Sequence, residues 1–282
     1  MQIRRIGVVG AGTMGHGIAQ VAARGGYATV LYDVTRALAD AGLERVRKNL
    51  DEGVAKGKLT AAERTEALAR LSATDALADL AGAELVIEAV PEDLALKQKT
   101  FQKLAEACAP GCIFASNTSS MSLTEIAAGV PNPERVVGMH FFNPVHIMKL
   151  LEVVRAYQTS DAVVAAVRAV GEAMGKQIVE VKDSPGFAST RLGVLLGMEA
   201  ARMVEEGVAS PEDIDRAMEL GYGHPMGPLK LGDLVGLDVR LAIGEYLFRE
   251  LGNPAFRPPQ LLKKMVRAGK LGKKSGQGFY KY

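Results

Sequence analysis

The chain has 282 residues, 48% of them apolar and 23% charged, so it is long enough for one large or two modest domains with real cores. Its 34 Lys and Arg against 32 Asp and Glu leave a net charge of +2 with no basic tail or stripe, which gives no footprint for nucleic acid. No apolar stretch is long enough to span a bilayer, and Cys108 and Cys112 fit neither a paired zinc motif nor a disulfide framework, so a metal-free, soluble, cytoplasmic protein is expected.

The first apolar run, Ile3 to Val9, reads as a strand and begins too early to leave room for a signal peptide. It passes directly into Gly10-Ala11-Gly12-Thr13-Met14-Gly15, after which Ile18, Val21 and Ala22 recur at helical spacing. In such a strand-loop-helix unit the first glycine permits the tight turn, the second lets backbone approach a pyrophosphate, and the third lets helix and strand pack closely. The helix start, with Thr13 and Met14 beside it, turns unpaired amides toward the phosphates. A second strand, Thr29 to Asp33, ends about 20 residues later in an acid, where a carboxylate binds the adenine ribose hydroxyls. Asp33 repels a 2′-phosphate and favours NAD, while Arg36 nearby keeps NADP open; His16 reads as a helix-start residue.

A helix from Arg36 to Lys56 follows, and Thr60 before Ala61-Ala62-Glu63 forms a capping box for the next. Further strands are expected at Leu85 to Ala89, Ile113 to Ser116, Arg135 to Met139, Leu150 to Val154 and Gln177 to Val181, with a helix opened by Ser160-Asp161 running to Gly175. Strands alternating with helices predict an α/β, Rossmann-type domain over residues 1–182, built on a mainly parallel sheet. At Lys182-Asp183-Ser184-Pro185-Gly186-Phe187 the pattern changes, and residues 183–282 read as an all-helical domain for substrate binding and dimerisation. Phe187 to Glu205 is more apolar than a surface helix needs, so burial between domains or subunits is expected. Ser210-Pro211 starts another helix, with Ser as cap and Pro at the first helical position.

Two strands carry the chemistry. His140 lies in Val136-Val137-Gly138-Met139-His140-Phe141-Phe142-Asn143-Pro144, and Glu152 in Lys149-Leu150-Leu151-Glu152-Val153-Val154, an acid where an apolar strand should run. A buried carboxylate needs a partner, and His140 is the natural one. Such a bond fixes the imidazole tautomer and frees the other ring nitrogen for general acid or base work. The plainer alternative is a structural ion pair between neighbouring strands.

With these features in place, the chain resembles the L-3-hydroxyacyl-CoA dehydrogenase family nearly end to end, and especially its 3-hydroxybutyryl-CoA dehydrogenase branch. The resemblance is carried by Gly10 to Gly15, Glu88-Ala89-Val90-Pro91-Glu92, Ser116-Asn117-Thr118-Ser119-Ser120, His140-Phe141-Phe142-Asn143-Pro144, Asp183-Ser184-Pro185-Gly186-Phe187, His224-Pro225-Met226-Gly227-Pro228 and Gly276-Gln277-Gly278-Phe279-Tyr280. It implies NAD-dependent, reversible oxidation of a short L-3-hydroxyacyl-CoA, with His140 as general base and Glu152 orienting it. It further implies that Ser119 hydrogen-bonds the reacting oxygen and that Asn143 contacts substrate and cofactor. Glu92, Lys97 and Asn117 match positions near the nicotinamide and its ribose, and Lys274 matches a further cofactor contact. Lys56 aligns with a lysine that contacts coenzyme A, on a helix that also carries Arg45 and Lys48, and a homodimer is implied.

Plainer readings stand beside these. Ser119 can cap the helix from Ser122 to Ala128, Asn143 can be a turn residue, Glu92 a helix-start acid and the lysines a solvated face. One departure is Thr190, where the family commonly has an asparagine reaching into the active site; Thr keeps a hydroxyl and loses the amide's reach. Two rivals remain at this stage: a related dehydrogenase of a free hydroxy acid or sugar acid, and a dinucleotide-binding relative without turnover.

Overall fold

The computed structural model describes residues 2–282, which divide into two compact units meeting at Asp183 and Ser184. In the first unit the elements run β1 (Arg5–Val9), α1 (Gly15–Arg24), β2 (Ala28–Tyr32), α2 (Arg36–Ala55), α3 (Ala61–Ala69), β3 (Leu71–Thr74), β4 (Leu85–Glu88), α4 (Leu94–Ala107), β5 (Ile113–Ser116), α5 (Leu123–Ala127), β6 (Val136–Phe141), β7 (Leu150–Arg155), α6 (Asp161–Ala173) and β8 (Gln177–Lys182). The sheet order is β3-β2-β1-β4-β5-β6-β7-β8. All pairings are parallel except β6 with β7, which are antiparallel.

The central strands are buried along their whole length, as a sheet covered on both faces requires. Ile6, Val8, Leu85, Ile87, Ile113, Val137, Met139 and Val153 meet Ile18 and Val21 of α1 and Val163, Val167 and Val170 of α6 in one core. The caps read from sequence form: Thr60 and Glu63 exchange both bonds of a capping box, and Ser160 accepts the Val163 amide. One difference has a physical cause. β3 was absent from the expected strands; it is short, half-exposed and paired only to β2, so it lacks the apolar run that marks an inner strand. The sheet is mainly parallel, as expected, and its one antiparallel pair, β6 with β7, arises because residues 142–149 are too few for a helical crossover and the chain turns back directly.

The second unit is helical: α7 (Ser189–Glu205), α8 (Pro211–Tyr222), α9 (Pro228–Val235), α10 (Leu237–Leu251) and α11 (Gln260–Arg267). Val194, Met198, Leu237, Leu247, Phe256 and Leu262 form its main core. Two buried acids organise its end. Asp215 accepts the Leu229 and Lys230 amides at the start of α9 and the Tyr280 hydroxyl at 2.8 Å, while Asp233 accepts the Phe279 and Tyr280 amides. Gly278 lies against the Asp233 carboxylate where a Cβ has no room, which explains the glycine in Gly276-Gln277-Gly278-Phe279-Tyr280. α7 is only partly covered: Val194 and Met198 are buried, but Leu192 is 62% and Leu196 41% exposed. Among the described residues no helix is long and apolar enough to cross a membrane, and no group of three or more His, Cys, Asp or Glu could hold a metal ion.

Candidate active site

The strand order reverses between β1 and β4, the point at which an open α/β sheet binds ligands beyond its carboxyl ends. The loop after β1 is built for close approach. Gly10 has φ +94°, and a Cβ there would stand 2.7 Å from the Ala89 carbonyl oxygen; at Gly15 a Cβ would collide with the Gly10 carbonyl. At Gly12, by contrast, a Cβ would meet nothing within 4 Å, which is the space a pyrophosphate needs. Thr13 is exposed and Met14 packs on the core, just ahead of α1. Asp33, directly after β2, accepts the Ala11 amide on one oxygen and the Val34 amide on the other, both at 2.7 Å. Each oxygen keeps a lone pair for a ribose hydroxyl. These residues fit a dinucleotide. Arg36 is held by Asp40 at 3.0 Å, and Arg45, expected with the coenzyme A cations, donates instead to the Ala11 carbonyl and braces the glycine loop. His16 bonds the Gly12 carbonyl at 2.7 Å, in keeping with a helix-start residue.

Further along the same edge, β6 ends in the candidate base. His140 and Glu152 are directly opposed in the antiparallel register, which puts both side chains on one face, and His140 Nδ1 lies 2.7 Å from Glu152 Oε2. Both are buried, at 6% and 1% exposure. A carboxylate only accepts, so Nδ1 is the donor of this bond. The Phe142 ring packs against the imidazole with centroids 4.4 Å apart. Gly138, two residues before His140, faces Val154 so closely that a Cβ would come within 2.6 Å of the valine Cβ. This dependence of the pair on a glycine was not apparent in the sequence.

The turn after β5 supplies the polar groups. Asn117 Oδ1 accepts the Phe141 amide at 2.9 Å, tying this turn to the end of β6. Ser119 is half-buried; its amide donates to Glu92 Oε1 at 2.9 Å, and its hydroxyl lies 3.4 Å from the same oxygen. It caps no helix, since Ser122 accepts the Glu125 amide at the start of α5. Lys97 is 1% exposed, and its ammonium reaches Glu88 at 2.8 Å, Glu92 at 3.2 Å and the Val90 carbonyl at 3.4 Å. All three donors are therefore engaged, which leaves none for a cofactor in this conformation.

Asn143 is exposed in the turn after β6. Lys56, at the end of α2, pairs with Glu52 at 3.1 Å, and its ammonium holds the Glu52 carboxyl below the usual range. Thr190, half-buried near the start of α7, and Lys274, bonded to Asp238 at 2.7 Å, belong to the second unit. The structure thus gathers Gly10 to Gly15, Asp33, Glu92, Asn117, Ser119, His140 and Asn143 at the carboxyl ends of β1, β2, β4, β5 and β6, with Glu152 behind His140.

A glycine loop with room for a phosphate, an acid at the end of the second strand and an oriented imidazole on one sheet edge are the parts expected of a dinucleotide-dependent oxidoreductase. The family model for the 3-hydroxyacyl-CoA dehydrogenase NAD-binding domain matches residues 5–184, and that for the C-terminal domain matches residues 186–282. The chain belongs to the 3-hydroxyacyl-CoA dehydrogenase family, and its cofactor is NAD. It is 50% identical over 282 residues to a probable 3-hydroxybutyryl-CoA dehydrogenase of Bacillus subtilis, covering 100% of this chain and 98% of that protein. It is 45% identical to a 3-hydroxybutyryl-CoA dehydrogenase of Clostridioides difficile, covering 99% of each. Among solved structures, the (S)-3-hydroxybutyryl-CoA dehydrogenase of Ralstonia eutropha superposes with a TM-score of 0.97 at 45% identity, covering 100% of this chain and 99% of that one.

Proposed function

We propose that the protein interconverts short L-3-hydroxyacyl-CoA thioesters, 3-hydroxybutyryl-CoA foremost, and their 3-ketoacyl counterparts, with His140 as general base. The observation that carries this reading is the buried His140–Glu152 pair, 2.7 Å apart, on the sheet edge whose first loop is shaped for a dinucleotide. Three near full-length relatives named for this substrate support the choice of thioester. NAD, when bound, supplies the acceptor for the hydride that leaves C3. Nε2 of His140 takes the proton of the 3-hydroxyl, and Glu152 gives the resulting imidazolium its counter-charge. The Ser119 hydroxyl donates to the same oxygen as charge gathers there, and Asn143 orients the thioester beside it. In the reverse direction His140 returns the proton.

Asn117 and Glu92 are assigned to the nicotinamide ribose, and Lys274 to cofactor binding. Lys56 leaves Glu52 for a coenzyme A phosphate. Thr190 meets the acyl group with its hydroxyl. A second copy covers the exposed Leu192 and Leu196 of α7, making a homodimer.

The test is a steady-state assay of the pure protein with acetoacetyl-CoA, longer 3-ketoacyl-CoA thioesters and the free 3-keto acids, each with NADH and NADPH. Turnover that needs the thioester and NADH, and whose KM rises when Lys56 is replaced by Ala, is expected. Turnover of the free acids alone would overturn the reading.

A further inference from the structure

Glu88 ends β4 at 0% exposure, and its carboxylate closes a ring of hydrogen bonds beneath Ser119. Glu88 Oε1 accepts from Lys97 Nζ at 2.8 Å and from the Val90 amide at 2.7 Å, while Oε2 accepts from the Ser116 hydroxyl at 2.6 Å. Ser116 Oγ in turn accepts the Thr118 amide at 3.2 Å. The Thr118 hydroxyl donates to Glu92 Oε1 at 2.6 Å, and Glu92 Oε2 meets Lys97 Nζ at 3.2 Å, which completes the circuit. Ser116, Thr118 and Lys97 are as deeply buried as Glu88; only Glu92, at 38%, reaches solvent.

An ammonium without partners in this position would be heavily penalised, as any uncompensated buried charge is. Glu88 stands as the buried partner of Lys97, and Lys97 in turn anchors Glu92. Glu92 then holds the backbone of the Thr118–Ser119 turn from one side while Ser116 holds it from the other. The weakest link is the Ser119 hydroxyl itself, at 3.4 Å, near the limit of a hydrogen bond. The backbone of Ser119 is therefore pinned while its hydroxyl turns to a ligand at small cost.

We propose that Glu88 and Ser116 are positioning residues for Ser119, acting through Lys97, Glu92 and Thr118 without touching substrate or cofactor. This rests on the role given to Ser119 above. The test compares Glu88→Gln, Glu88→Asp and Ser116→Ala by amide exchange at Ser119, kcat and KM with acetoacetyl-CoA, and NADH binding by fluorescence. In Glu88→Gln the Ser119 amide is expected to exchange about tenfold faster or more while amides of β1 and β6 keep their protection. Its kcat should fall about 10- to 100-fold, with the KM for the thioester within about threefold of wild type, and the Kd for NADH, which Glu92 also touches, should rise by less than kcat falls. Glu88→Asp should recover part of the loss.

Should Glu88→Gln fail to fold, Ser116→Ala decides, since it removes one link without stranding a charge. Wild-type Ser119 exchange and kcat in Ser116→Ala would overturn the proposal, as would faster exchange spread evenly over the sheet. If the wild-type protein turns over no thioester, the reading of the reaction fails, and exchange at Ser119 alone still judges the ring.

Discussion

In the proposed reaction Glu152 has two separable parts: a hydrogen bond that sets the His140 ring and a counter-charge for the proton that ring receives. Glu152→Gln keeps shape and an acceptor but not the charge, so kcat is expected to fall on the order of 10²-fold with KM changed only a few-fold, measured by steady-state kinetics with acetoacetyl-CoA. Unchanged kcat would mean that the pair is only a strand-to-strand tie. The glycine loop allows an equally sharp separation. A methyl at Gly12 projects into open space, whereas a methyl at Gly15 collides with the Gly10 carbonyl. Gly12→Ala should keep the wild-type melting temperature yet weaken NADH binding about tenfold or more, whereas Gly15→Ala should lose the fold itself. Calorimetry paired with a fluorescence titration distinguishes the two, and full NADH affinity in Gly12→Ala would remove the pyrophosphate from this loop.

At the scale of elements, the β6–β7 pair is what holds His140 and Glu152 together, and at Gly138 it has no room for a side chain against Val154. Gly138→Ala must push a branched side chain aside; overpacking of this kind costs about 1–3 kcal/mol. The strands then separate two residues from His140, so activity should fall by more than the loss of stability explains; a variant as active as wild type at 25 °C would show the pair to be insensitive to strand spacing. His140 and Glu152 were legible in the sequence because each is a titratable group inside an apolar strand. Leu85-Val86-Ile87-Glu88 carries the same signal, but an acid at the last position of a strand reads equally well as solvent-facing. Its partner Lys97 lies on a helix whose buried face the sequence leaves open. The direction of β7 was hidden for another reason: an apolar run reads alike in either sense, and only the short 142–149 connection fixes it. The caps at Thr60, Ser160 and Ser210 were readable because each is a local event of side chain and neighbouring amide. The clasp of Asp215 and Asp233 on the C-terminal string was not, because it joins residues 46 and 65 positions apart that no local pattern connects.

Over the whole molecule the first consequence concerns assembly: Leu192→Glu with Leu196→Glu should convert a dimer to a monomer in sedimentation velocity, and a wild-type monomer would refute the assigned role of α7. The second concerns alkali, to which the two units respond with opposite sign. In the first unit Lys176 donates to the Val145 and Met148 carbonyls, and burial, with help from Arg24, lowers its pKa to about 8. The unfolded chain then binds the extra proton between about pH 8 and the ordinary lysine range, so this unit gains stability as pH rises through that window. The gain is lost as pH falls through about 8. In the second unit burial and Asp215 raise the Tyr280 pKa, while burial and Asp233 push Tyr282 to about 12. Here the folded state holds the extra proton, so the stability these hydroxyls confer is complete below the ordinary tyrosine range, near pH 10, and declines as pH rises toward 12. Subtracting the melting curve of Lys176→Met from that of wild type cancels the tyrosines. The difference should move in favour of wild type from pH 8 to 10.5. The same subtraction with Tyr282→Phe should move against wild type above pH 10. A flat difference in either experiment would mean that the corresponding group titrates alike in the folded and unfolded chains.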